Sequence, residues 1–171
     1  NGIDKSYETH IKEFQKRNIP VAVYAYVAAK DKKEMEKEAE EFYQASKKYK
    51  PTYYWLDVEE KTMNDMNAGV EAFRAKLESL GAKNIGIYIG TYFMEEHSIS
   101  TDKFTALWIP TYGYDDGYYN AAPSTDDEYD LHQYTSQGQL NGFTHYLDLN
   151  QIAPTQDQEK IYRKLFTVEK N

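Results

Sequence analysis

The two faces of this chain's strands differ in chemistry, and that difference limits the fold more than any other feature. Side chains alternate across a strand, so residues two apart share a face. In the run 53–59, Tyr54, Leu56 and Val58 make one apolar face, while Tyr53, Trp55, Asp57 and Glu59 make the other. The run Ile85 to Thr91 divides in the same way: Ile85, Ile87 and Ile89 oppose Gly86, Tyr88 and Gly90. In Tyr146 to Asn150, Leu147 and Leu149 oppose Tyr146, Asp148 and Asn150. A doubly wound sheet with helices on both sides reads as apolar on both faces. One greasy face and one face rich in tyrosine and acid instead predict an α/β barrel with helices outside and a site inside. Chemistry in such barrels sits at the C-terminal ends of the strands, where Asp57, Glu59 and Asp148 are expected.

The intervening segments read as helices. Tyr7, Ile11 and Phe14 recur at helical spacing behind Ser6 as N-cap. After a strand over 21–29, Asp31 caps a helix with Glu34 three residues on and Met35, Ala39 and Phe42 inside. Met66, Val70, Phe73, Leu77 and Leu80 form a further helical stripe that stops at Gly81. Strands follow over 106–112 and 131–135, separated by an irregular stretch from Gly113 to Asp130. Strands alternating with helices argue for a parallel sheet. Residues 1–154 are expected to form one catalytic barrel domain, and 155–171 a terminal helix or linker carrying Ile161 and Leu165.

Twenty basic and 28 acidic residues leave a net charge of −8, which argues against nucleic-acid binding. A mean hydropathy of −0.84 argues against membrane insertion. The chain has no cysteine, and its four histidines lack zinc-ligand spacing, so neither a metal nor a cofactor is expected. Seventeen tyrosines supply flat faces with polar edges, suited either to stacking on sugars or to filling a core.

Asp57 and Glu59 leave their strand on one face, with Cα atoms about 7 Å apart at roughly 3.3 Å rise per residue. Two acids so close do not ionise independently, and one proton is held above its normal range. Such a pair is a natural source of general acid chemistry, glycoside hydrolysis above all. Glu60 has the opposite parity and reads as a loop acid. The proton is expected on Glu59, with Asp57 as the like charge that keeps it there.

Several segments together resemble the glycoside hydrolase family 25 lysozymes, the muramidases of phage endolysins and bacterial autolysins. Residues 19–26, Ile-Pro-Val-Ala-Val-Tyr-Ala-Tyr, are similar to the family's GVYHY-type strand, and Trp55-Leu56-Asp57-Val58-Glu59 to its Asp-x-Glu strand. Residues 85–88 and 107–112 resemble its next two strands. His132-Gln133-Tyr134-Thr135-Ser136-Gln137-Gly138, then Gly142 and Leu147-Asp148-Leu149-Asn150, resemble its WQYTS-x-G … G … VDLN ending. The resemblance implies an irregular TIM-like (β/α) barrel that cleaves the β-1,4 bond between N-acetylmuramic acid and N-acetylglucosamine. Glu59 would be the general acid/base. Asp57 and Asp148 would orient and stabilise, positioning the 2-acetamido group as internal nucleophile. Tyr24, Tyr26, Trp55, Tyr88, Trp108, Tyr112, His132 and Tyr134 would bind sugar. Peptidoglycan would be the partner, and the cell wall or extracellular space the place of action.

Two departures from the family pattern stand out. His132 replaces a tryptophan, and the family's opening strand with its Gly-x-Asp aspartate is not evident. Gly2-Ile3-Asp4 mimics that signature without a strand around it, so Asp4 is not expected to be catalytic. The barrel is therefore expected to be incomplete at the N-terminus, with an exposed edge at 21–27 inviting a dimer or swapped assembly. A catalytically impaired glycan-binding module, or a hydrolase of another polysaccharide, remain the alternatives on sequence alone.

Overall fold

A computed structural model describes residues 2–168. The elements run α1 (Tyr7–Lys16), β1 (Val23–Tyr26), α2 (Lys32–Ser46), β2 (Tyr54–Val58), α3 (Met66–Leu80) and β3 (Ile85–Ile89). They continue with α4 (Thr91–Glu96), β4 (Ala106–Pro110), β5 (Leu131–Gly138), β6 (Leu147–Ile152) and α5 (Gln158–Phe166). The six strands form one sheet in sequence order, curled into a half-barrel. Strands β1 to β5 are parallel, and β6 runs antiparallel to β5.

The expectation of a parallel sheet therefore fails at its last strand, for a simple reason. A parallel return needs a crossover of a dozen residues or more, usually a helix. The connection 139–146 is too short for one, so β5 turns back into β6. Strand 21–29 also shrinks to Val23–Tyr26, and Thr91 opens a short helix rather than closing a strand.

Local signals account for most of the helices. The Asp31 carboxylate accepts the Glu34 N–H at 2.9 Å, and Glu34 reaches back to the Lys30 N–H at 2.9 Å. Asp65 caps α3 through the Ala68 N–H at 3.0 Å, and Gly81 ends it at φ +108°. Ser6 makes no side-chain cap on α1; Asp4 accepts its N–H instead.

Two cores line the two faces of the sheet. Outside, Leu56, Val58, Ile87 and Ile89 meet Met35 and Ala39 of α2 and Val70, Phe73 and Leu77 of α3. Each large apolar side chain buried there contributes about 1.5–3 kcal/mol. Inside, Tyr53, Trp55, Ala106 and Leu131 pack on Ile161 and Leu165 of α5, which forms a floor at the N-terminal ends of the strands. Lys164 pins that helix through Asp130 at 2.6 Å, whose other oxygen accepts the Leu107 N–H at 3.0 Å. No helix among the described residues is long and apolar enough to cross a membrane.

Candidate active site

Strand register stacks the inner face in rows above that floor. Tyr24, Trp55, Gly86 and Ala106 are aligned across β1 to β4. One row higher lie Tyr26, Asp57, Tyr88, Trp108 and Leu131, and above them Pro110, Gln133 and Asn150. Trp55 stacks on Tyr53 at 5.2 Å and meets Trp108 edge-on at 5.4 Å; Trp108 in turn meets Tyr88 at 5.0 Å. Gly86 makes room for this cluster, because a methyl there would lie 2.3 Å from Cζ3 of Trp55. The Trp108 indole N–H donates to Asn150 Oδ1 at 2.9 Å. A cavity of about 320 Å³ opens beside Tyr24, Trp55, Trp108 and Asn150, with Phe166 closing its floor.

The three acids converge on the rim of this concave face. Asp57 ends β2, and Glu59 projects just beyond it, exposed. Asp148 reaches the same rim by a different route. It sits near the start of β6, which an antiparallel strand brings level with the C-terminal ends of the others. Burial first, then the neighbouring charge of Glu59 and a hydrogen bond with it, then Asp148, push the Asp57 carboxyl up to about 8. One oxygen of Asp57 is buried with no hydrogen-bond partner among the described residues. Burial penalises the charged form of the deeper acid, so the Asp57 carboxyl is the one pushed up. Asp148 is raised as well, by burial and by the charge of Asp115.

Tyrosines surround the acids. Tyr24 and Tyr26 are exposed on the edge strand. Burial raises the Tyr24 phenol, with the charges of Asp57 and Asp148 adding to the effect. Tyr26 is pushed up to about 12 by desolvation and by Glu60, the acid expected to lie idle in a loop. Tyr88 is buried and Tyr112 half-buried, both raised chiefly by desolvation. Their hydroxyls both donate to Oε1 of Gln133, Tyr88 at 2.7 Å.

Two expected sugar-binding residues lie elsewhere. His132 pairs in register with Ile109, a residue of the outer core, and is fully buried on the face opposite Leu131 and Gln133. Its Nε2–H donates to the Thr111 carbonyl at 2.7 Å, and burial lowers its pKa. Tyr134 shares that outer side, 6.4 Å from His132 and 6.3 Å from Tyr119. Alternation carries the reason: with Leu131 pointing inward, His132 points out and Gln133 in. Gln133 is the inner residue that sequence reasoning passed over, and the parity rule that placed Asn150 on the inner face identifies it too.

Asp115, in the irregular stretch after β4, has a structural task. Its carboxylate accepts from Thr135 Oγ1 at 2.7 Å, the Ser136 N–H at 2.7 Å and Ser136 Oγ at 2.6 Å. Those bonds hold it below the usual carboxylate range and tie the loop after β4 to the bulged part of β5.

With that geometry in hand, the comparisons converge. The family model for glycosyl hydrolases family 25 matches residues 1–143. A glycosyl hydrolase 25 of Streptococcus pneumoniae, described as a virulence factor participating in host cell invasion, is 65% identical with a TM-score of 0.96. The match covers 97% of this chain and 73% of that one. The catalytic domain of an endolysin from a bacteriophage of Listeria monocytogenes is 26% identical with a TM-score of 0.86, covering 96% and 80%. A spore cortex lytic enzyme of Clostridium perfringens, 21% identical with a TM-score of 0.72 over 90% and 55%, shares the fold. No curated protein matches the chain.

Proposed function

The chain belongs to glycosyl hydrolases family 25 and is a glycoside hydrolase; from that premise we propose that it cleaves peptidoglycan at the β-1,4 bond between N-acetylmuramic acid and N-acetylglucosamine. The observation that carries this reading is the half-buried Asp57, its carboxyl pushed up by burial and by its neighbour, beside an exposed Glu59 on a rim shared with Asp148. Glu59 stands where it can reach a glycosidic oxygen from solvent. A sugar bound over it strips away its water and draws the shared proton from Asp57 onto Glu59, which then protonates the leaving oxygen. Asp57, now charged, accepts the N–H of the 2-acetamido group and aims its carbonyl oxygen at the anomeric carbon. Asp148 stabilises the positive charge that develops there. Trp108 and the exposed Tyr24 and Tyr26 offer faces for the sugar rings.

Acting on that substrate, the protein works at the cell wall or outside the cell. The similarity to the catalytic domain of a bacteriophage endolysin supports this location. A module that only binds glycan is not favoured, given membership of a hydrolase family and the presence of the acid pair. The test is Glu59→Gln. It is expected to lower the release of new muramic-acid reducing ends from purified peptidoglycan by about 10²–10⁴-fold, the usual contribution of a general acid, with the melting temperature retained. Full activity in the variant refutes the assignment.

A further inference from the structure

Gln133 is 5% exposed at the centre of the inner face, between Pro110 and Asn150 in register. Its Oε1 receives both phenol protons, from Tyr88 and from Tyr112. No protein acceptor engages its Nε2 among the described residues. The arrangement matters because of what else surrounds Tyr88. Asp57 is its in-register neighbour on β2, and the charges of Glu59 and Asp57 both act on its phenol. On Tyr112, after burial and the hydrogen-bonding neighbour Tyr88, the charge of Asp148 acts, followed by that of Glu59. Hydroxyls free to rotate beside three carboxyl groups would donate to them, because hydrogen bonds to carboxylates are about twice as strong as neutral ones. The acids would then be occupied before any sugar arrived.

We infer that Gln133 is a positioning residue that takes both phenol protons on one oxygen, turning the lone pairs of Tyr88 and Tyr112 toward the cleft as acceptors for sugar N–H and O–H groups. The two tyrosines and the acids are thereby kept from neutralising one another. With no phenol donating to it, Asp57 keeps its proton in the free protein. The role assigned to the sugar rests on the proposed muramidase reading, whereas the clamp itself does not.

The experiment has two arms. In the free wild-type protein, proton NMR is expected to show two slowly exchanging phenol hydroxyl resonances, one lost in Tyr88→Phe and the other in Tyr112→Phe, each with a cross-peak to the Gln133 side chain. Absence of those cross-peaks overturns the clamp, and this arm needs neither activity nor a folded Gln133 variant. In the second arm, Gln133→Met preserves length and apolar volume but removes the strong acceptor. It is expected to lower kcat/KM on purified peptidoglycan by about 10–100-fold, the scale of a misplaced active-site group. The alkaline limb of the pH–rate profile, where the proton on Asp57 is lost, should also move to lower pH as the freed Tyr88 donates to Asp57. Gln133→Met added to Tyr88→Phe/Tyr112→Phe should then cost less than about twofold more, since the groups act as one unit. A full additional loss in that background, or an unmoved limb, refutes the inference. A wild-type protein that releases no reducing ends would sink the muramidase reading alone, leaving the NMR arm to decide the clamp.

Discussion

Replacing Asp57 with asparagine should make the protein more stable at neutral pH while removing a group the site needs. Asp57 rises from an ordinary 3.8 to about 8 on folding, chiefly through burial. Between those values the unfolded chain has released the proton and the folded one keeps it. Stability is therefore fully present below pH 3.8 and is lost as pH rises toward 8, at about 1.36 kcal/mol per pH unit. From pH 5.5 to 8 this amounts to about 3 kcal/mol, and about 2 kcal/mol once screening at the partly exposed outer oxygen is allowed for. Glu8, lowered to about 2, and Glu71 and Asp115, also lowered, complete their opposite contributions by pH 5.5. His132, lowered by burial, adds stability as pH rises toward 6.5, equally in both proteins. The difference between wild type and Asp57→Asn thus isolates one carboxyl. In urea unfolding the variant midpoint should already lie above that of the wild type at pH 5.5, and the gap should widen by about 1 M between pH 5.5 and 8, for a slope of about 2 kcal/mol/M. Parallel pH dependences in the two proteins would refute the argument that Asp57 is the buried proton carrier.

Other perturbations address the scaffold. Leu165→Ala empties a fully buried position in the floor beneath Tyr53 and Trp55 and should cost about 2–5 kcal/mol in urea unfolding; a change under 0.5 kcal/mol would mean that α5 is not a floor. Gly86→Ala sets a methyl 2.3 Å from the Trp55 ring. It should cost about 1–3 kcal/mol and alter tryptophan fluorescence, and an unchanged spectrum would show that the indole does not pack there.

How much of this was legible in the sequence depends on which physical signal was local. Parity along β2 and β3 divided the faces correctly, since Tyr54, Leu56 and Val58 lie in the outer core and Tyr53 and Trp55 in the inner one. Asp31 and Gly81 marked helix ends because capping is settled within a few residues. The same parity, applied to 131–133, would have moved His132 out and Gln133 in. Resemblance to a motif directed attention to the histidine in a tryptophan's place and away from its neighbour. The direction of β6 was also open to reading, from the shortness of 139–146. The tie from Asp115 to Thr135 and Ser136 was not, because it spans a loop whose path no local pattern encodes.

Which acid holds the proton follows from depth, and depth follows from the strand. Along β2 the inner residues pass from Tyr53 and Trp55, nearly inaccessible, to half-buried Asp57 and exposed Glu59. Desolvation falls along that line, so two carboxyls two residues apart meet different solvents although they share a face. Like-charge repulsion acts on both carboxyls, whereas the gradient of burial favours the neutral form of the deeper one. Strand β6 repeats the gradient in reverse chain order, from Asp148 at the rim through Asn150, which holds Trp108, to Ile152 packed on the floor. Because β6 is antiparallel, its gradient runs the same way in space as that of β2. The barrel therefore presents an apolar floor, an aromatic middle and an acidic rim on both sides of the cleft, and a sugar entering from the rim meets the exposed acid before the protonated one.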